Sequence, residues 1–353
     1  MERVDRFRVG LIGYGLGGAS FHAPLIAVTP GLELALVVTG NPARREQAGR
    51  DHPGAEVVPT ADALWSRASE LDLVVVASPN RTHVPLGLAA LGAGLAVVVD
   101  KPLAATASEG RRLVDEARRR GLMLTAYQNR RWDGDFLTMR RLLAEGELGE
   151  PLRFESRLDR WRPVPKEGWR ERGEPEDAGG LLYDLGAHLI DQALVLFGPV
   201  ASVYAELDRR RPGVEVDDDV FLALTHRSGV RSHLWASSVA AQPGFHKRLL
   251  GSRAAYAKMH PDPQEGALRS GGRPGPGWGE EPPERWGTLG AGERVRAVPT
   301  LPGAYQAFYA GIVEALRGGA PPPVDPADAV AVLELIEAAR RSSDERRVVA
   351  IAG

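Results

Sequence analysis

The segment from Arg6 to Pro24, RFRVGLIGYGLGGASFHAP, constrains the fold more than any other stretch of the chain. Val9-Gly10-Leu11-Ile12 is a short apolar run of the kind that forms a buried strand. Gly13, Gly15 and Gly18 follow at G-x-G-x-x-G spacing, and the pattern predicts a helix over about residues 17–29. Each glycine has its own mechanical task in a dinucleotide site. Gly13 permits the tight turn out of the strand. Gly15, without a Cβ, lets backbone N–H groups approach a pyrophosphate at the helix N-terminus, where the dipole favours negative charge. Gly18 lets the helix pack close to the strand. Tyr14, Leu16 and Gly17 belong to the same cradle. The spacing also fits a glycine-rich turn with no ligand, but the strand before it and the βαβ pattern after it favour the dinucleotide.

Past this loop, strands at 32–38, 71–77, 96–99 and 122–126 alternate with helices at 61–67, 84–92 and 107–120. That alternation predicts a doubly wound parallel sheet, in which ligands bind beyond the carboxyl ends of the strands. Gly13–Gly18, Ser78-Pro79-Asn80 with His83, Asp100-Lys101-Pro102 and the run 127–132 all fall there. The second strand ends in Thr39-Gly40-Asn41-Pro42-Ala43-Arg44-Arg45. A carboxylate at this point would bind the ribose 2′-OH of NAD and repel the 2′-phosphate of NADP. None is present, whereas Thr39, Asn41, Arg44 and Arg45 could receive a phosphate. NADP is therefore expected, with NAD possible. The alternative is a capped helix start with solvated arginines.

At 353 residues the chain is long for one core, and two domains are expected. From about residue 150 the pattern changes to short strands at 152–161, 200–207, 220–225, 230–237, 247–250 and 254–258, predicting a largely antiparallel sheet. Helices are predicted at 179–197, 305–316 and 326–341, and the Gly- and Pro-rich run 266–303 reads as a long surface loop. The expected division is 1–126 for a Rossmann domain, 127–325 for a second α/β domain, and 326–353 for a helix and strand near the boundary. Asp217-Asp218-Asp219 reads as a strand start. The arginine runs 118–120, 130–131 and 209–211 read as solvated faces.

Composition narrows the chemistry. With no cysteine, disulfides, thiolate metal sites and cysteine nucleophiles are excluded. A formal net charge of −2 gives no pull toward nucleic acid or anionic membrane. The N-terminus carries no apolar signal core, and no run approaches the ~18 apolar residues of a membrane span. A cytoplasmic protein without nucleic-acid or membrane partners is expected. Of 44 basic residues only Lys101, Lys166, Lys247 and Lys258 are lysines. A lysine amine can give up its proton and an arginine cannot, so these four are candidate places for a titratable amine, some of them accidental.

Asp184 and His188 stand four apart in a predicted helix and share a face. An aspartate can orient an imidazole and stabilise its charged form, which suits a general base for an alcohol proton. Asp191 is a second possible partner, and a buried, satisfied histidine is the other reading. No metal-ligand spacing is seen.

The order of Gly13–Gly18, Asp100-Lys101-Pro102 and Asp184-x-x-x-His188 resembles the Gfo/Idh/MocA oxidoreductases. Residues 14–24, 127–136, 180–198 and 245–251 are similar to the subgroup of NADP-dependent scyllo-inositol dehydrogenases. The resemblance implies a Rossmann domain followed by an α/β domain with a large, open, mainly antiparallel sheet that joins subunits into a homodimer or homotetramer. It implies Lys101, Asp184 and His188 as catalytic residues, with Lys101 between nicotinamide and substrate, and Pro79-Asn80 and His83 beside the cofactor. The motif's usual Glu is Asp100 here. The implied substrate is a polyol, inositol or sugar, with Tyr127, Asn129, Arg130, Trp161, Lys166, Trp169 and Arg170 as candidate pocket walls. Lys247, in a strand of the open sheet, reads as structural; His22 reads equally as a neighbour of the cofactor phosphates or as a cap, and His246 is ambiguous. A non-catalytic NADP-binding sensor and an NAD-dependent glycosidase are the rival functions on such a fold.

Overall fold

β-Branched runs buried on both faces dictate the first sheet. It contains β1 (Phe7–Ile12), β2 (Leu32–Val38), β3 (Glu56–Val58), β4 (Leu73–Val76), β5 (Ala96–Asp100) and β6 (Leu124–Tyr127), all parallel. In this computed structural model, which describes residues 6–165, 168–171 and 173–351, the strand order is β3-β2-β1-β4-β5-β6. The side chains of Val74–Val76 and Val97–Val99 are fully buried, as helices on both faces require. The order reverses direction between β1 and β4, which opens a crevice at their carboxyl ends. The predicted first helix begins instead as a π-helical turn, Gly17–His22, and continues as an α-helix, Ala23–Val28.

The chain forms two units: one from residues up to Asn129 with Gln264–Trp278 and Ala304–Val330, the other from Arg130–Pro263, Gly279–Gly303 and the residues from Ala331 onward. In the second unit the strands are β7 (Pro151–Asp159), β8 (Val200–Asp208), β9 (Asp219–His226), β10 (Arg231–Ser237), β11 (Lys247–Gly251), β12 (Ala255–Lys258), β13 (Gly287–Ala291), β14 (Arg294–Val298) and β15 (Val349–Ala350). Their order is β14-β13-β12-β11-β7-β10-β9-β8-β15. Every pairing is antiparallel except β7 with β10, so the sheet is mixed, not purely antiparallel. Residues along β9 alternate between buried and half-exposed, so one face is covered and the other open.

Two expectations need correction. The run 266–303 is not one long loop. It contains part of a helix, Gln264–Arg269, and the β13–β14 hairpin that extends the sheet. Its glycines serve close approach: a Cβ on Gly287 would lie 2.4 Å from the Tyr256 ring, and one on Gly290 2.0 Å from the Arg294 carbonyl oxygen. In addition, Pro175–Phe197 does reach the length and mean hydropathy (1.2) of a spanning helix, but 72% of that window is buried inside the protein. It is a core helix.

Candidate active site

The glycine loop shows which glycines the chain needs for its own packing. Gly13 adopts φ +102°, and a Cβ there would lie 2.5 Å from the Ala77 carbonyl oxygen on the neighbouring strand's exit. A Cβ on Gly18 would lie 1.9 Å from the Gly13 carbonyl oxygen. Gly15 differs: its Cβ would meet only Arg44 Nη1, at 3.7 Å. Among the described residues no packing demands glycine at this position, so the bare backbone here is available to a ligand, as a pyrophosphate cradle requires. Leu16 is exposed beside it. The Tyr14 side chain turns inward, and its hydroxyl donates to Asp51 Oδ2 at 3.0 Å, leaving only backbone to face the loop. Burial, reinforced by Asp51, keeps that phenol protonated.

At the end of β2, Thr39 is buried and Asn41 caps the helix Pro42–Asp51 by accepting from the Arg44 N–H at 3.1 Å. The cap aims the helix so that the exposed Arg44 guanidinium stands over Gly15, while Arg45 is half-buried. The capped helix start thus leaves the Arg44 guanidinium beside the glycine loop.

After β4, Ser78 Oγ lies 2.5 Å from Thr82 Oγ1, and Pro79 and Asn80 begin a turn that leads into helix His83–Gly92. The His83 ring is buried; its Nδ1 is 2.8 Å from the Pro102 carbonyl oxygen and its Nε2 2.9 Å from that of Ser78. The imidazole therefore ties the loop after β4 to the loop after β5. There, Asp100 Oδ1 accepts from the Lys101 backbone N–H at 2.8 Å, and the Lys101–Pro102 peptide is cis. Burial works against the Asp100 charge, but His22, then Lys101 and His83, outweigh it and hold the carboxyl below its usual value. Tyr127, at the end of β6, is buried with its hydroxyl donating to the Phe21 carbonyl at 3.1 Å, and Asn129 is also buried.

In the second unit Asp184 sits on a π-helical turn, Leu182–Gly186, that runs into the α-helix Ala187–Phe197 carrying the buried His188. Two signals start this helix. Gly180 takes φ +91°, and a Cβ there would lie 2.4 Å from Asp217 Oδ1. Asp217 Oδ2 in turn accepts from the Leu182 N–H at 2.7 Å, and its carbonyl from Leu181 at 2.9 Å. Asp184 Oδ1 is 3.6 Å from Arg170 Nε. Asp191, the other possible partner of His188, is held by Arg131 in a two-pronged pair at 2.9 and 2.6 Å. That carboxylate is occupied by a guanidinium.

Of the candidate pocket walls, Trp161 is exposed and bridges Val239 through its backbone, and Trp169 is half-buried with the Arg170 guanidinium 4.2 Å above its ring. Arg130 is buried, with Nη1 3.4 Å from Asp133 Oδ2. Lys166 lies outside the described residues.

The arginine and aspartate runs differ from the solvated faces and the strand start that their sequence suggests. Arg130 and Arg211 are buried and paired, not solvated; Arg211 bonds Asp218 at 2.8 Å and Glu171 at 2.7 Å. Only Asp219 starts the strand, while Asp217 anchors the His188 helix. Beyond these, Lys247 Nζ is 2.7 Å from Asp135 Oδ1, and His246 Nε2 is 3.2 Å from Asp135 Oδ2, all inside the unit. Each of these buried cations is paired with a buried carboxylate: Arg130 with Asp133, Arg211 with Asp218 and Lys247 with Asp135. Among the described residues no group of three or more acidic or histidine side chains is placed to hold a metal ion.

Comparison with known proteins gives a consistent picture. Residues 7–128 match the oxidoreductase family's NAD-binding Rossmann fold, and residues 140–351 match its C-terminal alpha/beta domain. The chain is 42% identical over 351 residues to the uncharacterized oxidoreductase YdgJ of Escherichia coli, covering 99% of each. It is 36% identical over 353 residues to the NADP-dependent scyllo-inositol 2-dehydrogenase IolW of Bacillus subtilis, covering 99% of this chain and 97% of that one. The solved structure of the oxidoreductase YvaA from Bacillus subtilis superposes with a TM-score of 0.93 at 35% identity, covering 100% of both chains.

Proposed function

The chain belongs to the Gfo/Idh/MocA oxidoreductases, with an NAD(P)-binding Rossmann domain, and from that premise we propose that it is an NADP-dependent dehydrogenase of a polyol, inositol or sugar. The observation that carries the nucleotide is Gly15, the one motif glycine whose Cβ would meet no atom of the described residues nearer than 3.7 Å. The neutral and basic exit of β2, with Arg44 beside that glycine, supports the 2′-phosphate. The similarity to an NADP-dependent scyllo-inositol 2-dehydrogenase supports the substrate class.

Gly13 to Gly18, with Thr39, Asn41, Arg44, Arg45, Ser78, Pro79, Asn80 and His83, hold the nucleotide. Its nicotinamide, when bound, supplies the hydride acceptor or donor. His188 takes the hydroxyl proton of a secondary alcohol as the carbon is oxidised and returns it on reduction. Asp184 stabilises the imidazolium so formed. Lys101 donates a hydrogen bond to the same oxygen, where negative charge develops. Tyr127, Asn129, Arg130, Trp161 and Trp169 are the further substrate-binding candidates, Tyr127, Asn129 and Arg130 being buried. The open face of the second sheet, where Phe221 and Trp235 stack at 5.2 Å under Arg157, pairs two copies into a dimer or a tetramer.

The test is nicotinamide absorbance with NADP and, separately, NAD across inositols, polyols and aldoses. Turnover with NADP that Lys101→Ala and His188→Ala each abolish is the expected result. Tight NADP binding with no turnover would turn the reading to a sensor.

A further inference from the structure

His22, which in the sequence fits either a neighbour of the cofactor phosphates or a cap, is fully buried beside Asp100 in the candidate catalytic lysine's loop. It closes the π-helical turn Gly17–His22 that begins in the glycine motif. Its ring packs on Tyr127 with centroids 4.3 Å apart. Nδ1 lies 2.6 Å from the Tyr309 hydroxyl, and Nε2 lies 3.7 Å from Asp100 Oδ2, an ionic separation slightly longer than a hydrogen bond. Burial keeps Tyr309 a phenol. If that phenol donates to Nδ1, the ring proton sits on Nε2 and faces the carboxylate. If it accepts from Nδ1, a neutral ring turns a bare Nε2 lone pair toward the carboxylate. The first arrangement is the one that suits the pair.

The Asp100 carboxylate is thus flanked on two sides. Oδ2 faces His22, and Oδ1 accepts the Lys101 backbone N–H at 2.8 Å. The glycine loop makes room for it: a Cβ on Gly17 would stand 2.9 Å from Asp100 Oδ2. One line therefore runs Tyr309–His22–Asp100–Lys101, beginning in the helix Gln306–Leu316 and ending at the residue that the proposed reaction uses. We propose that His22 is a positioning residue for Lys101, acting through Asp100. Its imidazole fixes the carboxylate, the carboxylate fixes the Lys101 backbone, and the amine is thereby presented in one place. This rests on the reading of Lys101 as a catalytic group.

The experiment is a double-mutant cycle on the full chain with His22→Asn, Asp100→Asn and both together, plus Tyr309→Phe. One readout needs no turnover: residue-resolved amide hydrogen exchange at Lys101, with and without NADP. The other is kcat and KM with a substrate from the polyol panel. His22→Asn is expected to speed Lys101 exchange by about tenfold and lower kcat by about tenfold, with KM within about twofold. The amides of Val97–Val99 keep their protection. In the Asp100→Asn background His22→Asn adds nothing further, since neighbours that act as a unit are not additive. Tyr309→Phe, which removes one hydroxyl and is the mildest change, moves Lys101 exchange in the same direction by less. Unchanged exchange at Lys101, loosening spread over all of β5, or effects that simply add would each overturn the proposal. Should no polyol turn over, the functional reading fails by itself and the exchange cycle still decides the role of His22.

Discussion

A Cβ on Gly18 would stand 1.9 Å from the carbonyl oxygen of Gly13, whereas one on Gly15 would meet nothing nearer than 3.7 Å. Gly18→Ala therefore forces backbone apart and is expected to cost about 1–3 kcal/mol, as overpacking does, with a fall in Tm of several degrees. Gly15→Ala is expected to leave Tm unchanged and weaken NADP binding by about tenfold or more, because its methyl enters the pyrophosphate cradle. Thermal unfolding and titration with NADP separate the two. Equal effects on both properties would contradict this division of labour.

That pair also shows what the sequence could reveal. The strand-glycine-helix pattern was legible because its physics is local: a turn, a close approach, a helix end. The parallel sheet followed from β-branched runs such as Val74–Val76 for the same reason. The partners of Arg211 and Lys247 were not legible, since Glu171 and Asp135 are delivered by elements far away in the chain, and Asp133, three residues from Arg130, is seen as its partner only once both are buried. Asp217 looked like a strand start beside Asp219, and only folding brings its side chain to the Leu182 N–H. The hairpin of β13 and β14 was hidden because glycines such as Gly287, which mark a loop in one dimension, make room for the Tyr256 ring in three.

Arg44 is the next test. Its Nη1 is the nearest atom to the space above Gly15, and it is exposed. Charge-assisted pairs with a phosphate contribute about 1.5–3 kcal/mol, so Arg44→Ala is expected to raise KM for NADP by about 10- to 100-fold. KM for NAD, which has no 2′-phosphate, is expected to stay within about threefold. Steady-state kinetics with both nucleotides check it, and parallel losses would place the phosphate elsewhere.

Asp217 anchors the turn that leads to Asp184 and His188. It accepts the Leu182 N–H at 2.7 Å with one oxygen, and Gly180 is glycine because the other oxygen occupies the Cβ position. Asp217→Ala frees the helix start and is expected to destabilise the protein by about 1–2 kcal/mol, in the range of a lost helix cap. The loss of kcat should exceed the change in KM, because the base is displaced more than the binding surface. Asp217→Asn keeps an acceptor and should recover most of both. An alanine variant with wild-type kcat would show that the anchor is not coupled to His188.

Lys247 and Asp135 set the acid limit of the fold. Both are buried, with Nζ 2.7 Å from Oδ1, and Asp133 Oδ2 is 3.7 Å from the same ammonium. Burial alone would raise the Asp135 carboxyl, but Lys247, and then His246, outweigh it and hold it far below its ordinary value. A carboxyl depressed in the folded state stabilises the protein fully above its unfolded pKa of about 3.9 and loses that contribution as pH falls below it. Wild-type protein is therefore expected to be steady in urea unfolding from pH 7 to about pH 5 and to weaken steeply below about pH 4. Asp135→Asn cannot lose this charge, so it starts weaker at pH 7 and shows a flatter decline. Lys247→Met leaves the carboxylate buried without its ammonium and is expected to cost about 3–5 kcal/mol at pH 7. Joining Asp135→Leu to Lys247→Met removes both charges and should recover much of that cost, since the penalty belongs to the unpaired ion and not to the missing pair. A double variant no more stable than Lys247→Met alone would show that the ammonium matters for its packing against Phe136, not for its charge.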